Sequence, residues 1–455
     1  MRKRVILALM LVVALAATTS CSLVVKDAEV DKQTVIIEAA GKTFTKGEVK
    51  AQLAQALDYQ EYMYQMYGMA FDKTDKKVIA DSQENVLNGL VEQAVIEQKK
   101  TEMNMNTFTD AEIADMQTTV DKNNQQAIEN VKQSYFTDTK LAGEELDKAV
   151  ADKMTELSYP TVEQLLENEK LAKADEKLKA DVVKDVAVSD EEVKAEYDKL
   201  VADATAKYET NPGAYGTDAQ NGGTVYYVPA GYRYVKNILI KLLDADTTKI
   251  NELSAQMGEK QTQLSNIETA MADLGTDAAA DDEATAKTRA EQTTAKDQLN
   301  TEIAELQKQL DAAKEAGYTA IQPKVDEVLA KLTAGEDFDA VMKEFGEDPG
   351  MQNAPTMDTG YLVCEKSTNW VTEFTQASMA LKAVGEASPA VRTSMGVHFI
   401  KYQSDAVAGA VAFDTVKDTV KSELLLTMQN NQYSETVAQW VKDANAKIYR
   451  DRLAD

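Results

Sequence analysis

The spacing of apolar and polar residues divides this chain into short strand-like pieces and long helical runs. In "TVIIEAAGKTFTKGEV", Val35, Ile36 and Ile37 are β-formers, Gly41 permits a turn, and Thr45 with Glu48 has capping-box spacing. From there to about Leu200 the apolar residues recur at helical period, and a second capping box, Ser189 with Glu192, precedes "VKAEYDKL". In "DYQEYMYQMYGMAFD", Tyr59, Met63, Met66 and Tyr67 fall on one side of a helix. Such a stripe either packs into a core or forms an exposed, adaptable surface able to hold unfolded chains.

Helical period stops in "ETNPGAYGTDAQNGGTVYYVPAG", whose prolines and glycines predict a linker over 205–230. "YRYVKNILIKLL" follows, a β-branched run suited to a buried strand. Over 246–318, Ile250, Leu253, Met257, Leu264, Ile267, Met271 and Leu274 keep a heptad register with Lys260 as its polar intruder. "GTDAAADDEA" interrupts that register, and Leu299, Ile303, Leu306 and Leu310 resume it. The pattern predicts an antiparallel coiled-coil hairpin inserted into a domain spanning 231–405, either a structural arm or a docking feature. From Pro323 it predicts two short helices, then a strand in "MDTGYLVCE", a helix in "TEFTQASMALKAVGEAS" and a closing strand in "GVHFIKYQ". An amphipathic helix over 411–455, apolar through Val416, Val420, Leu424, Met428, Val437, Trp440 and Val441, needs a partner; the helical segment 33–204 is the obvious one.

The beginning of the chain changes the compartment. "MRKR" is a basic n-region, "VILALMLVVALAA" an apolar h-region too short for the about 20 residues of a spanning helix, and "TTSC" ends at Cys21. Residues 1–21 resemble a bacterial lipoprotein signal with Cys21 as the lipidation site, although Thr18 stands where Leu is usual; an ordinary cleaved signal is the alternative. The expected location is extracytoplasmic, held at the cell membrane by the lipid. With one other cysteine, Cys364, no disulfide framework is available. The 455 residues hold 76 acidic and 49 basic side chains, a net charge of −27 that repels nucleic acid and suits cationic or neutral partners. One histidine, no paired thiols and no glycine-rich phosphate loop leave no constellation for a metal, haem or nucleotide, and Asp281, Asp282 and Glu283 lack a calcium-loop pattern.

With the hairpin removed, Val235 to Gln403 resembles a parvulin-type peptidyl-prolyl isomerase domain. The matching blocks occur in family order: "YVKNILIK", "LTAGEDFDAVMKEFGEDPG", "DTGYL", "EFTQASMALKAVGEASPAV" and "SMGVHFIKY". The helical flanks resemble extracytoplasmic foldases of the PrsA and SurA type. The resemblance implies an α+β chain: one helical chaperone domain from both ends, and an antiparallel-sheet domain carrying the hairpin. It also implies a proline pocket whose polar floor is His398, Asp348 and Asn237, with Phe374 and Trp370 around the ring. Asn237 occupies the place of the family's first histidine, so the pair cannot titrate as two histidines do. Gly346 and Thr359 are further departures, as is the hairpin itself. No cofactor is implied. The partners implied are unfolded or partly folded secreted proteins, with a homodimer left open. Two functions remain: a foldase that isomerises X–Pro bonds, or a non-catalytic holdase or assembly lipoprotein with a degenerate isomerase domain.

Overall fold

Local signals start most of the helices. Thr45, Thr109, Thr161 and Ser189 each close a capping box with the residue three positions on. The computed structural model describes residues 28–137, 139–275 and 282–453. The signal-like segment with Cys21, and Asp281 in the stretch that interrupts the heptads, lie outside the described residues. The chain divides into two compact units, one from the residues before Ser189 together with those from Glu423 onward, the other Ser189–Ser422.

In the first unit, strand Val35–Ala39 lies between Lys42–Thr45 and Lys447–Ile448 in a three-stranded antiparallel sheet. Ile36 and Ile37 pack with Val49, Leu87, Val91 and Val95, and with Trp440, Val441 and Leu453 from the end of the chain. Helix Lys46–Met66 ends in the Tyr/Met segment. There Tyr59, Met66 and Tyr67 are 65%, 57% and 68% exposed, so this stripe is a surface and not a core face. Only Met63 of the four is half-buried.

The second unit is built on four antiparallel strands, β1 (Arg233–Lys241), β2 (Tyr361–Val363), β3 (Val391–Thr393) and β4 (Gly396–Asp405), in the order β2-β1-β4-β3. Every residue from Val235 to Ile240 is buried because both faces of β1 are covered. Ile238, Ile240, Val397 and Phe399 pack with Val325, Val328, Phe338 and Val341 on one face. Val235, Ile400 and Tyr402 pack with Phe374 and Leu381 on the other. Pairing of β1 with β4 reaches Lys241 opposite Gly396, whose φ is +149° and whose absent β-carbon would overlap the Ile240 carbonyl. Only glycine lets the two backbones approach there.

The hairpin consists of α1 (Asp244–Asp273) and α2 (Glu283–Thr333). Lys260 pairs with Glu302 at 2.6 Å and Glu268 with Lys296 at 2.8 Å, so residues further along α1 meet residues further back on α2, as in an antiparallel pair. The polar intruder Lys260 is therefore an inter-helix ion pair. Pro323 does not begin a new helix; α2 passes through it to Thr333. The buried stripe Leu310, Ala313, Tyr318, Ile321, Val325 and Val328 is continuous across that point, and its packing outweighs the backbone N–H that proline lacks.

The expected linker is also structured. Its first residues finish helix Asp190–Thr210, and Ala214–Gln220 forms another helix. Tyr208, Tyr215 and Tyr232 stack edge-on at 5.5 and 4.8 Å, and Tyr232 donates to the Pro212 carbonyl at 2.8 Å. Aromatic contacts without periodic spacing hold this segment, which composition alone cannot reveal.

Candidate active site

A line of polar side chains crosses the apolar sheet. Cα register sets Leu239 opposite His398 and Asn237 opposite Ile400, so Asn237 and His398 project from one face of neighbouring strands. Asp348 reaches them from the turn after helix Phe338–Phe345, where it caps Pro349–Met351. Asn237, His398 and Asp348 are all buried.

Their hydrogen bonds share one direction. Asn237 Nδ2 donates to Asp348 Oδ2 at 2.7 Å, and because a carboxylate only accepts, this turns Asn237 Oδ1 toward His398 Nδ1 at 3.1 Å. The network thus assigns the imidazole proton to Nδ1. Nε2 accepts from Thr393 Oγ1 at 2.8 Å, and that hydroxyl oxygen accepts from the Met395 N–H at 3.1 Å. Asp348 Oδ1 receives Tyr361 OH at 2.8 Å and the Gly350 N–H at 3.0 Å. A β-carbon on Gly350 would overlap the Tyr361 hydroxyl, so glycine at this position is what lets the phenol reach Asp348. Burial lowers the imidazole pKa to about 4, against the upward pull of the nearby Asp348 charge. His398 is neutral at pH 7. Burial, with the Asp348 charge, pushes the Tyr361 phenol well above its ordinary value, so it remains a donor.

An aromatic wall stands over this floor. Helix α3 (Thr372–Ala380) presents Phe374, whose ring meets the His398 imidazole edge-on at 5.4 Å. Trp370 lies 5.5 Å from Phe374 and 4.5 Å from Tyr361, oriented by its indole N–H donating to the Leu362 carbonyl at 2.9 Å. Between wall and floor is an open cleft of about 820 Å³. Asn237, His398, Asp348, Phe374 and Trp370 all line it. Cys21 is outside the described residues. Cys364 is buried elsewhere, in the tyrosine cluster. Thr359 caps its own turn by donating to the Pro355 carbonyl at 3.0 Å.

Four participants were missed in the sequence: Gly350, Tyr361, Thr393 and Met395. Tyr361 lies in "DTGYL" and Thr393 five residues before the histidine, but nothing in spacing alone marks either as a hydrogen-bond partner. The root of the hairpin was missed as well, since Asp244, Thr247 and Asn251 line the same cleft.

Residues 305–404 match the family Rotamase, described as PPIC-type PPIASE domain. That segment begins inside α2, so β1 with Asn237 lies outside it and joins through its pairing with β4. The chain is 33% identical over 135 residues to "Foldase protein PrsA" of Clostridium botulinum (strain Hall, type A), covering 29% of this chain and 38% of that protein. It is 30% identical over 130 residues to "Foldase protein PrsA 3" of Bacillus anthracis, covering 27% and 42% respectively. The alignment thus spans about two fifths of the length of these relatives. A crystal structure of PrsA from Bacillus subtilis aligns over 92% of this chain and 96% of its own at 17% identity, with a TM-score of 0.20.

Proposed function

We propose, for a chain carrying a PPIC-type isomerase domain, that the cleft catalyses cis–trans isomerisation of X–Pro bonds in exported, unfolded polypeptides. The observation that carries this reading is the juxtaposition of His398, Asn237 and Asp348 beneath Phe374 and Trp370 in one open cleft. Amide resonance imposes a rotation barrier of roughly 18–20 kcal/mol. No covalent bond need form. The aromatic wall takes the pyrrolidine ring out of water, which disfavours the polar planar amide relative to the twisted state. The floor is polar, fixed in orientation and uncharged at His398, so it needs no reorganisation as the bond rotates. Asn237 serves this role without titrating: it passes a hydrogen bond from imidazole to carboxylate.

A protease-coupled assay with a prolyl peptide tests the reading. The purified, folded chain is expected to accelerate isomerisation above buffer, and a rate equal to buffer refutes it.

Two further parts of the reading concern place and client. A lipid on Cys21 would hold the chain outside the cytoplasm; mass spectrometry of the membrane-extracted protein checks it, and an unmodified Cys21 removes the anchor. The exposed Tyr59, Met66 and Tyr67 supply adaptable apolar contact for extended chains, which favours a holding activity independent of turnover. Replacing all three by Ser is expected to change stability by no more than about 0.5 kcal/mol per site. The same variant should lose at least half of the suppression of light scattering by a reduced, aggregating client. Undiminished suppression would move the holding surface elsewhere.

A further inference from the structure

We propose that the inserted hairpin is part of the isomerase site: the first turns of α1 form one wall of the cleft and select a basic side chain flanking the proline. This rests on the isomerase reading for its proline, but on separate residues for its selectivity.

Strand β1 runs into α1 across only Leu242 and Leu243, so the first turns of the arm begin at the cleft. Asp244, Thr247 and Asn251 stand at i, i+3 and i+7, one stripe of the helix, and all line the cleft. Ile250 and Leu253 form a different stripe, buried in the core with Leu310 and Ala313. The cleft thus has an aromatic side and, from the insertion, a side made of a carboxylate, a hydroxyl and an amide.

This second wall is held firmly. Gly317 of α2 admits Leu242 and Asp246 at a separation that a β-carbon would reduce to 3.1 and 3.3 Å. Tyr318 donates to the Thr393 carbonyl at 2.9 Å, and Arg392 pairs with Glu315 at 3.0 Å while lying 4.6 Å from the Tyr318 ring. The arm is therefore fastened to β3, the strand that carries the Thr393 hydroxyl bound to His398.

Charge gives the preference its sign. Three formally charged groups line the cleft: Lys241, Asp244 and Asp348. Both oxygens of Asp348 are taken by Asn237, Tyr361 and Gly350. The Glu347 carboxylate accepts from the Lys241 backbone N–H at 2.7 Å and pairs with Lys324 at 2.8 Å, so the Lys241 ammonium stands as one positive charge against the two carboxylates of the lining. Among the described residues no cation pairs with Asp244, which is exposed at the wall. A chain of net charge −27 deepens the potential around it.

The test uses the full chain and fluorescent prolyl peptides carrying Lys, Glu or Leu immediately before or after the proline, with affinity read by anisotropy at low and high salt. At low salt the Lys peptide of one series is expected to bind about fivefold tighter than its Glu counterpart, with the gap closing as salt rises. Asp244→Asn should bring the ratio close to unity and Asp244→Lys should invert it, with circular dichroism confirming that both variants fold. Equal affinity for Lys and Glu peptides, a ratio unaltered in Asp244→Asn, or no peptide binding would each overturn the proposal. Prolyl turnover in the same samples separates the two readings. Turnover without preference removes the selective wall alone, and preference without turnover removes the isomerase alone.

Discussion

Asp348→Ala is expected to lower prolyl turnover by more than about tenfold and to destabilise the second unit by about 3 kcal/mol. The carboxylate receives three donors, Asn237 Nδ2, Tyr361 OH and the Gly350 N–H, and none has another acceptor in the network described. Bonds to a charged acceptor contribute about 1.5–3 kcal/mol each, and water entering the open cleft would offset part of the loss. Asp348→Asn separates charge from geometry. Its oxygen is needed by Gly350, whose N–H cannot accept, so its amide nitrogen must face Asn237. Asn237 then has to turn its oxygen toward residue 348 and its Nδ2 toward His398. The imidazole must in turn accept at Nδ1 and carry its proton on Nε2, donating to Thr393. The relay is thus expected to reverse, and nitrogen NMR of the single histidine reads the tautomer directly. An Nδ1–H tautomer retained in Asp348→Asn would show that the carboxylate does not set the direction. Urea melts and the coupled assay on both variants give the energetic and catalytic halves of the result.

How much of this was legible in the sequence depends on which residues must meet. Asn237 and His398 could be paired because a β-strand fixes side-chain direction by parity, and the parvulin-like blocks supplied the two strands in order. Phe374 and Trp370 are four apart on or beside one short helix, so their common face is local information. The partners that the sequence did not disclose are those joined only through tertiary structure. Tyr361 reaches Asp348 because Gly350 leaves room, and Thr393 reaches His398 across a tight turn. Helical period marks a stripe but does not say whether it is covered, which is why Tyr59, Met66 and Tyr67 could be placed on one side without their exposure being known. The heptads identified the faces of the arm that pack together, yet the cleft-facing stripe of Asp244, Thr247 and Asn251 is polar and lies outside the heptad register. Proline rules started a new helix at Pro323, where core packing instead carries one helix through. The linker failed for a related reason: glycine and proline content reports backbone permissiveness, while three tyrosines decided the outcome.

His398 should show the largest acid effect of any single group described. In the unfolded chain an imidazole titrates near 6.5, and in the folded protein burial lowers it to about 4. The unfolded state therefore binds the proton first, so stability falls as pH drops. The contribution is fully present above pH 6.5, declines between 6.5 and about 4, and is lost below, a total of about 3 kcal/mol for a shift of this size. With 76 carboxylates titrating in part of the same range, the histidine's share is obtained by subtracting the pH profile of a His398→Gln variant, whose amide can keep one bond of the relay. Because the chain has one histidine, a proton or nitrogen NMR titration gives its pKa without assignment ambiguity. A midpoint close to 6.5 would mean the imidazole is hydrated and in part charged at neutral pH, which removes the buried, uncharged floor, while the nitrogen shifts report the tautomer separately. Turnover follows the same group. Prolyl isomerisation is expected to be level from about pH 5.5 to 8, since His398 stays neutral throughout and Asn237 does not titrate, and to fall as protonation near pH 4 places a second donor against the Thr393 hydroxyl. A bell-shaped profile centred near neutrality would instead require a proton to move during rotation, which an Asn–His–Asp floor in this protonation state does not supply.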